Sequence, residues 1–358
     1  MSRICFIAQF PPPIHGLSKA VDTLFNSKLA SEYDFEKVDI TNNKKFLGNI
    51  IKISKSKADL FYFTISQTKG GNLRDLMILK LLYMQHKKCL VHLHGGYYRH
   101  LVDNDLGASQ RKSNYKAISK LAGAIVLGPS LKSIFGGMLD DNKIITVPNC
   151  VDDEYLMSDE EFEKKISSFN DRKIKHVLYL SNFIKTKGYP EVLKMAKSEK
   201  ARVENGEGRR FHFDFAGAFF EKAEEEYFNS FIRDNQLEDY VTYHGVVSGA
   251  KKAELLKDSD IFVLLTRYPN EGQPISILEA MGNGMLIVTT DHAGIPDIVN
   301  EENIICHSDD DYEKIDLSKV SAEIERINRD SVKKLFREDN YIANMDRAFR
   351  EVLSDGSK

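Results

Sequence analysis

The stretch DIFVLLTRYPNEGQPISILEAMGNGMLIVTT, residues 260–290, contains the pattern that decides the fold. Its two apolar runs, 260–266 and 285–290, have the length and composition of buried parallel strands. Between them, Pro274 is suited to be the first residue of a helix, and a glycine-containing turn leads into the second run. Strand, helix and strand in this order predict a βαβ unit.

Two glutamates, Glu271 and Glu279, flank the start of this predicted helix. Ligands of α/β units bind beyond the carboxyl ends of the strands, where Glu271 is expected. The backbone N–H groups from Gln273 to Ser276 could receive a phosphate at the helix start. About one turn further along, Glu279 could accept hydrogen bonds from a ribose diol. The spacing alone is weak evidence, because 29% of the residues are charged, and it gains specificity from the flanking strands.

Candidate strands alternate with helical patterns along the rest of the chain, which predicts a doubly wound α/β fold. In the first half the candidate strands are residues 4–10, 60–65, 89–94, 124–127 and 144–147. In the second half they are residues 176–180, 211–216, 241–244, 261–265 and 286–289. A polar, charge-rich stretch at 158–175 separates the two sets, and residues 341–353 have the apolar spacing of a helix.

The chain of 358 residues is long enough for two domains of ordinary size. Its net charge of −3 is unevenly distributed, since residues 1–150 hold 21 Lys and Arg against 11 Asp and Glu, whereas residues 151–358 hold 29 against 42. A basic first half indicates contact with an anionic partner, such as a phospholipid surface or a diphosphate-linked acceptor. Nothing in the overall charge indicates a nucleic-acid partner.

The four cysteines, Cys5, Cys89, Cys150 and Cys306, lack the paired spacing of a zinc or redox site and are expected to be core thiols in a reducing compartment. The apolar run near the start is too short for a secretory signal, and no run of 18 apolar residues occurs. We therefore expect a cytoplasmic protein, peripheral to a membrane at most.

Residues 44–57 combine an apolar helical stripe with five lysines, a pattern that could lie on anionic lipid at the inner face of the membrane. The alternative is a core-packing helix with a solvated basic face.

The segment 260–290 resembles the donor site of the nucleotide-sugar-dependent glycosyltransferases of family 4, which are retaining enzymes with the GT-B fold. Motifs from about residue 4 to residue 300 carry this resemblance. It implies two Rossmann-like domains that face a central cleft: an acceptor domain at 1–165 and a nucleotide-sugar donor domain at 166–334. In this family a terminal helix, here at about 335–358, packs back on the first domain.

The resemblance also implies a role for each matching residue of the second domain. Glu271 would orient the sugar hydroxyls, and Glu279 would hold the ribose. Val246 would border the base through its backbone, so the side chains do not identify the base, although UDP is favoured over GDP. Gly272, Gln273, Pro274 and Ile275 are expected to bind the donor, with the helix start from Gln273 to Ser276 at its diphosphate.

Two strand ends in the first half match the family as well. Residues 11–18, PPPIHGLS, lead from the first strand into a helix, and Gly16 would let the donor diphosphate approach the backbone. The alternative is a proline-stiffened turn without a ligand. His94, in preference to His92, would contact the donor sugar, and the alternative is a structural histidine. We find no third ligand that would make this pair a metal site.

The second domain begins with a strand and a polar loop at 181–188, where Lys187 matches a family lysine that neutralises the departing diphosphate. A solvated loop lysine is the alternative. Family members commonly have Gly-Arg where this chain has Ser181 and Asn182, so the arginine is absent, and Asn182 is expected to bind the donor in its place. Lys185 or the helix N-termini would have to compensate for it.

Several other motifs are excluded. No Gly-x-Gly-x-x-Gly follows the first strand and no Walker loop is present, which argues against NAD enzymes and P-loop NTPases. The sequence Asp103-Asn104-Asp105 has the form of a metal-binding motif but follows no convincing strand.

We therefore predict a retaining glycosyltransferase, a hexosyl- or N-acetylhexosaminyltransferase, that needs no metal or other cofactor. It would move a sugar to a glycan or lipid-linked acceptor in bacterial surface polysaccharide biosynthesis. The alternatives are a nucleotide-sugar epimerase or hydrolase of the same architecture and a non-catalytic nucleotide-sugar binding protein.

Overall fold

The computed structural model describes residues 1–12 and 16–354. The strands in these ranges are β1 Arg3–Ala8, β2 Asp34–Asp39, β3 Leu60–Thr64, β4 Cys89–His92, β5 Gly123–Val126, β6 Ile144–Thr146, β7 Lys175–Leu180, β8 Phe211–Ala216, β9 Val241–Tyr243, β10 Ile261–Leu264, β11 Leu286–Thr290 and β12 Ile304–Cys306. The helices are α1 Gly16–Phe25, α2 Phe46–Lys55, α3 Lys69–Met84, α4 Tyr98–His100, α5 Ala108–Ile118, α6 Asp159–Ser167, α7 Tyr189–Glu204, α8 Lys222–Asp234, α9 Gly249–Asp258, α10 Ile275–Gly282, α11 Ala322–Leu335 and α12 Glu338–Ser354. None of these helices is both long enough and apolar enough to cross a bilayer.

The chain divides into two compact units. The first contains Met1–Asn149, Pro269–Gln273 and Asp339–Lys358, and the second contains Cys150–Tyr268 and Pro274–Glu338. The charge-rich stretch 158–175 lies inside the second unit, where it includes α6. The division into an acceptor domain at 1–165 and a donor domain at 166–334 stays a prediction.

The first unit is built on a parallel sheet with the strand order β2-β1-β3-β4-β5-β6. The last helix, α12, covers this sheet with aromatic side chains. The Phe349 ring lies 6.3 Å from that of Phe6 on β1 and 5.9 Å from that of Tyr62 on β3. At the edge of this contact, the hydroxyl of Tyr33 donates to Asp346 at 2.6 Å.

The second unit is built on a parallel sheet with the order β12-β11-β10-β7-β8-β9. Counted from β7, this is the 3-2-1-4-5-6 order of dinucleotide-binding folds, and it reverses between β7 and β10. Ligands of such sheets bind beyond the carboxyl ends of the two strands at this reversal. An aromatic cluster that includes Tyr179, Phe215 and Phe228 packs one face of the sheet.

The doubly wound α/β prediction is confirmed, and each predicted strand is present with its ends shifted by at most two residues. The prediction missed β2 and β12, which lie at the outer edges of their sheets. Strand β2 has the polar sequence DFEKVD, and β12 is three residues long. The prediction depended on an apolar run, which β2 lacks, whereas β12 is apolar but very short.

Candidate functional site

In the first unit, the loop Pro269–Gln273 packs on the carboxyl end of β4. A Cβ atom at Gly272 would lie 2.7 Å from the carbonyl oxygen of His94, and one at Gly95 would lie 2.7 Å from that of Asn270. Both distances are too short for a side-chain carbon. The loop can therefore approach the strand end only because both positions are glycine.

Gln273 anchors this loop with its side chain, which is buried. Its Oε1 accepts from the backbone N–H of Asn149 at 2.8 Å, and its Nε2 donates to the carbonyl of Leu127 at 3.2 Å. The Asn149 side chain donates in return to the Gln273 carbonyl at 2.9 Å. Any contact of Gln273 with a diphosphate would therefore come from its backbone N–H.

The two histidines at the carboxyl end of β4, His92 and His94, differ in their surroundings. Their ring centres lie 3.9 Å apart with the planes tilted by 30°, and His92 Nδ1 shares a hydrogen bond with the Tyr62 hydroxyl at 2.8 Å. Burial, and secondarily the neighbouring His94, holds the pKa of His92 well below its usual value. His92 is thus a neutral core residue, whereas His94 is half-buried and is the histidine of the pair that a ligand could reach.

Glu271 lies half-buried in the same loop and so belongs to the first unit, whereas Glu279 belongs to the second. The spacing of eight residues therefore connects a loop residue to a residue inside α10.

Lys187 lies at the strand-order reversal of the second unit. It ends a short 3-10 helix, Lys185–Lys187, beyond β7, and its Nζ is 5.1 Å from the centre of the Tyr268 ring beyond β10. The next residue, Gly188, has a φ of +84°, and a Cβ there would lie 2.6 Å from the Leu265 carbonyl oxygen. Glycine thus lets the segment that carries Lys187 press against the end of β10.

Asn182, which replaces the family arginine, is exposed, and its carbonyl accepts from the Tyr179 hydroxyl at 2.9 Å. Its position after β7 matches the prediction, but its side chain carries no charge that could assist a diphosphate.

Helix α10 begins one residue later than predicted. Pro274 precedes it as the capping residue with an extended backbone, φ −64° and ψ 117°, and is not its first helical residue. The N–H of Ile277 already donates to the Pro274 carbonyl at 3.1 Å. Within the helix, the N–H groups that point out of its start are therefore those of Ile275 and Ser276.

Glu279 is buried inside α10 and pairs with a residue that the sequence analysis missed. Lys252 Nζ on α9 donates to Glu279 Oε1 at 2.6 Å, and the same ammonium lies 4.1 Å from the centre of the Tyr155 ring. Burial raises the pKa of Glu279, and Lys252 acts in the opposite direction. In the sequence, Lys252 is one of two adjacent lysines on a helix, a pattern that usually marks solvated side chains.

Val246 lies in a loop held by a polar network around the buried Asp214, which was also missed. Asp214 accepts from His176 Nδ1 and from His244 Nε2, each at 2.7 Å. Burial acts to raise the pKa of Asp214, but the two histidines lower it below its usual value. His244 thereby anchors the chain before Gly245, which has a φ of +71°, and Val246 is left 73% exposed.

Gly16 is the first residue of α1 and not a loop residue as predicted. Pro13, Ile14 and His15 of the same predicted loop lie outside the described residues.

Asp103 of the rejected metal motif forms ion pairs with Arg99 at 2.5 Å and Arg111 at 3.2 Å. Within residues 1–12 and 16–354, no three His, Cys, Asp or Glu side chains are grouped so as to hold a metal ion. Independence from metal stays a prediction.

Comparison with known proteins gives one family and one fold. Residues 159–343 match the family model described as glycosyl transferases group 1. The amylovoran biosynthesis glycosyltransferase AmsK of Erwinia amylovora is 36% identical over 77 residues, which are 20% of this chain and 19% of AmsK. The chain thus spans about a fifth of the length of the curated relatives that it matches.

Among solved structures, HepE of Anabaena superposes with a TM-score of 0.73 at 13% identity over 98% of this chain and all of HepE. HepE was crystallised in complex with UDP and with UDP-glucose. A glycosyltransferase from Rickettsia africae gives a TM-score of 0.70 at 15% identity over 99% of both chains. These likenesses confirm the predicted two-domain α/β fold of the GT-B type.

Proposed function

This chain belongs to the glycosyl transferases group 1 family, whose model matches just over half of it, and on that premise we propose that it is a retaining glycosyltransferase of family 4. Its donor would be a nucleotide-diphosphate sugar, UDP-linked in preference to GDP-linked. Its acceptor would be a glycan or a lipid-linked glycan precursor.

One observation carries this proposal: Lys187 and the start of α10 follow the two strands between which the order of the second sheet reverses. That edge is where an α/β sheet of this order binds a nucleotide. A lysine ammonium and the free N–H groups of Ile275 and Ser276 are the groups that a diphosphate requires.

We assign a part of the reaction to each candidate residue. Lys187 and the start of α10 stabilise the negative charge that builds on the departing diphosphate. Catalysis requires positively charged or N–H groups that are already positioned where this charge develops. Glu279 accepts from the ribose hydroxyls. Glu271 and His94 contact the sugar as it leaves with oxocarbenium character. The acceptor hydroxyl attacks the same face and passes its proton to the leaving phosphate, without a metal.

The relatives support the choice of donor and pathway. HepE is a solved neighbour with UDP and UDP-glucose complexes, and AmsK is named for the biosynthesis of amylovoran. We accordingly propose a UDP-sugar donor and a role in bacterial surface polysaccharide biosynthesis.

Thermal unfolding with UDP, GDP or ADP, each with and without EDTA, tests the donor. A ligand that binds only the folded state raises stability by RT ln(1 + [L]/Kd). We expect UDP to raise the Tm, with the shift unchanged by EDTA. No shift with any nucleotide would contradict the proposal, and a shift abolished by EDTA would contradict the metal-free step.

Two substitutions separate the assigned roles. Glu279→Ala should weaken UDP binding, because the ribose loses its acceptor. Glu271→Ala should lower kcat while UDP still binds, because its assigned contact is with the sugar. Calorimetry with UDP and steady-state kinetics with a radiolabelled UDP-sugar measure the two effects. Wild-type values in both variants would remove the assignment, and donor consumption without an acceptor would favour a hydrolase.

We also propose that the protein works in the cytoplasm and contacts the inner face of the membrane through residues 44–57. Of the apolar stripe predicted there, Ile53 is buried, whereas Leu47 and Ile51 are 77% and 56% exposed. Residues 43–57 contain five lysines and no Asp or Glu, so the segment is strongly basic. Exposed apolar side chains within a basic field suit an anionic lipid surface.

The neighbouring helix α3 also has exposed apolar side chains. Gln85 just after α3 donates to Ser54 of α2 at 3.0 Å, so the two helices lie side by side. On α3, Leu73 and Met77 are exposed among basic residues. The one acidic residue of α3, Asp75, is buried and paired with its neighbour Arg74 at 2.8 Å.

Flotation with liposomes that contain phosphatidylglycerol tests the surface. The triple change of Lys44, Lys45 and Lys52 to Glu should abolish binding, because each lysine near an anionic surface contributes about 1 kcal/mol. The matched control changes Lys194, Lys197 and Lys222, exposed on α7 and α8, to Glu and should bind like the wild type. Equal binding by all three proteins would contradict membrane contact through α2.

A further inference from the structure

Lys252 lies against the residue assigned to the ribose. Its Nζ donates to Glu279 Oε1 at 2.6 Å, and both side chains are largely withdrawn from solvent, with 19% and 4% of their surfaces exposed. The Tyr155 ring packs on the ammonium at 4.1 Å. We propose that Lys252 is a positioning residue for the nucleotide: it holds the Glu279 carboxylate ionised and oriented so that Oε2 can accept from the ribose diol. This inference rests on the ribose role proposed for Glu279.

The first argument concerns the cost of burying a carboxylate. A carboxylate withdrawn from water without a counterion takes up a proton, because the interior disfavours the charged form. Asp152 and Glu154 add to this tendency at Glu279, and Lys252 is the group that opposes it. Without Lys252, Glu279 would be neutral over more of the physiological pH range, and a neutral carboxyl is a weaker acceptor for two hydroxyls.

The second argument concerns the charge of the ligand. A nucleoside diphosphate is an anion, and a lone carboxylate beside its ribose would repel it. The ion pair with Lys252 is neutral as a whole, so the carboxylate can serve the ribose without raising a negative potential near the diphosphate. Lys252 thus allows a carboxylate to accept from the ribose without repelling the anionic ligand.

The same helix provides a matched control. Lys257, one and a half turns further along α9, pairs with Glu161 on α6 at 2.7 Å, but this pair is far more exposed, at 34% and 47% of the side chains. Surface pairs of this kind contribute little to stability. Lys257→Met therefore removes an ion pair of similar length from the same helix without touching Glu279.

Calorimetric titration with UDP tests the inference in wild type, Lys252→Met, Lys252→Arg, Glu279→Gln and the double variant of Lys252→Met with Glu279→Gln. We expect Lys252→Met to weaken UDP binding about tenfold, and the double variant to bind no more weakly than the worse single variant, because contacting residues couple. Lys252→Arg should restore most of the affinity, and Lys257→Met should bind like the wild type. Ligand-free thermal unfolding of each variant verifies that it is folded.

A pH series separates positioning from packing. The affinity that Lys252→Met loses relative to the wild type should shrink as the pH rises from 6 to 8, because Glu279 ionises in the variant, whereas the titration of UDP itself is common to both proteins. Asp152, Glu154 and Tyr155 face the same carboxyl and remain unchanged in both proteins.

The outcomes for this inference and for the proposed function are distinguishable. Wild-type affinity in Lys252→Met, or losses that simply add in the double variant, would overturn the role of Lys252 alone. Wild-type affinity in Glu279→Gln would overturn the ribose role of Glu279 and this inference with it. Failure of the wild type to bind UDP would overturn the proposed donor as well.

Discussion

At the scale of single residues, Gly272 shows how a side chain can be excluded by a neighbouring backbone. Its contact at 2.7 Å is with the carbonyl oxygen of His94, which cannot move as the end of a flexible side chain can. We expect Gly272→Ala to lower the free energy of unfolding by about 1–3 kcal/mol and to lower activity, because the loop must move away from His94. Urea denaturation and donor turnover measure the two effects.

Gly48 in α2 is the control for this change. A Cβ there would meet nothing within 4 Å. Gly48→Ala should therefore stabilise the protein by about 0.5–1 kcal/mol through helix propensity. Stabilisation by both substitutions would contradict the steric account of Gly272.

Glu325 on α11 predicts a dependence of stability on pH. It is fully buried, and within the described residues neither of its carboxylate oxygens accepts a hydrogen bond; Arg172 is its ion-pair partner at 4.0 Å. Burial raises the pKa of Glu325 to about 7, despite the lowering effect of Lys165. The folded state therefore holds a proton that the unfolded state releases near pH 4.5, so the stability contributed at low pH is lost as the pH rises toward 7.

Glu325→Gln tests this dependence, because glutamine imitates the protonated carboxyl. We expect the variant to be more stable than the wild type at pH 8 by about 1–3 kcal/mol, and the difference to vanish near pH 4.5. Urea denaturation at pH 5, 6, 7 and 8 follows it. A constant difference across the series would contradict the assignment to Glu325.

The predictability of the site residues differs from one residue to the next. Glu271, Glu279 and Lys187 stand next to strands with strong apolar runs, so their places at strand ends or in the following helix could be inferred from the sequence. Lys252 could not be found in this way, because its partner is distant along the chain and only folding brings the two together. The buried role of Gln273 was missed for the same reason, since its partners Asn149 and Leu127 come from other segments.

At the scale of elements, burial separates what could be predicted from what could not. Strands β3, β4 and β10 are buried along their whole length, and each appears in the sequence as an apolar run. Strand β2 has a polar sequence and is mostly not buried, because no strand pairs with its outer edge in the described sheet. A local apolar run thus predicts a buried strand. The position of an edge strand depends on the strand with which it pairs, and its own sequence does not specify that partner.

Helix α12 buries six side chains, and Phe349 is the one among them that tests its contribution most directly. Phe349 is fully buried and contacts the rings of Phe6, Tyr33 and Tyr62. Phe349→Ala should lower the free energy of unfolding by about 3–5 kcal/mol, because the cavity adds to the lost burial. The control Phe220→Ala, at a residue 71% exposed, should change it by less than about 0.5 kcal/mol. Similar losses in both variants would contradict this account of α12.

At the scale of the whole molecule, the first unit is discontinuous along the chain. Its sheet comes from residues before 150 and its covering helix from residues after 338. A chain that ends at Glu338 should keep the second sheet and lose the protection of the first. Hydrogen exchange should then show fast exchange in β1 and β3 and slow exchange in β7 and β10. Equal protection of both sheets would mean that α12 is dispensable.

This discontinuity also has a consequence for biosynthesis. The ribosome must translate residues 150–338 before it can release α12, and during that time the aromatic face of β1 and β3 lacks the cover that α12 provides. At typical bacterial and eukaryotic elongation rates the delay is roughly 10–40 seconds, long compared with the collapse of a domain. The nascent first unit is thus a natural client for chaperones that bind exposed aromatic surface, and its maturation is timed by the completion of the second.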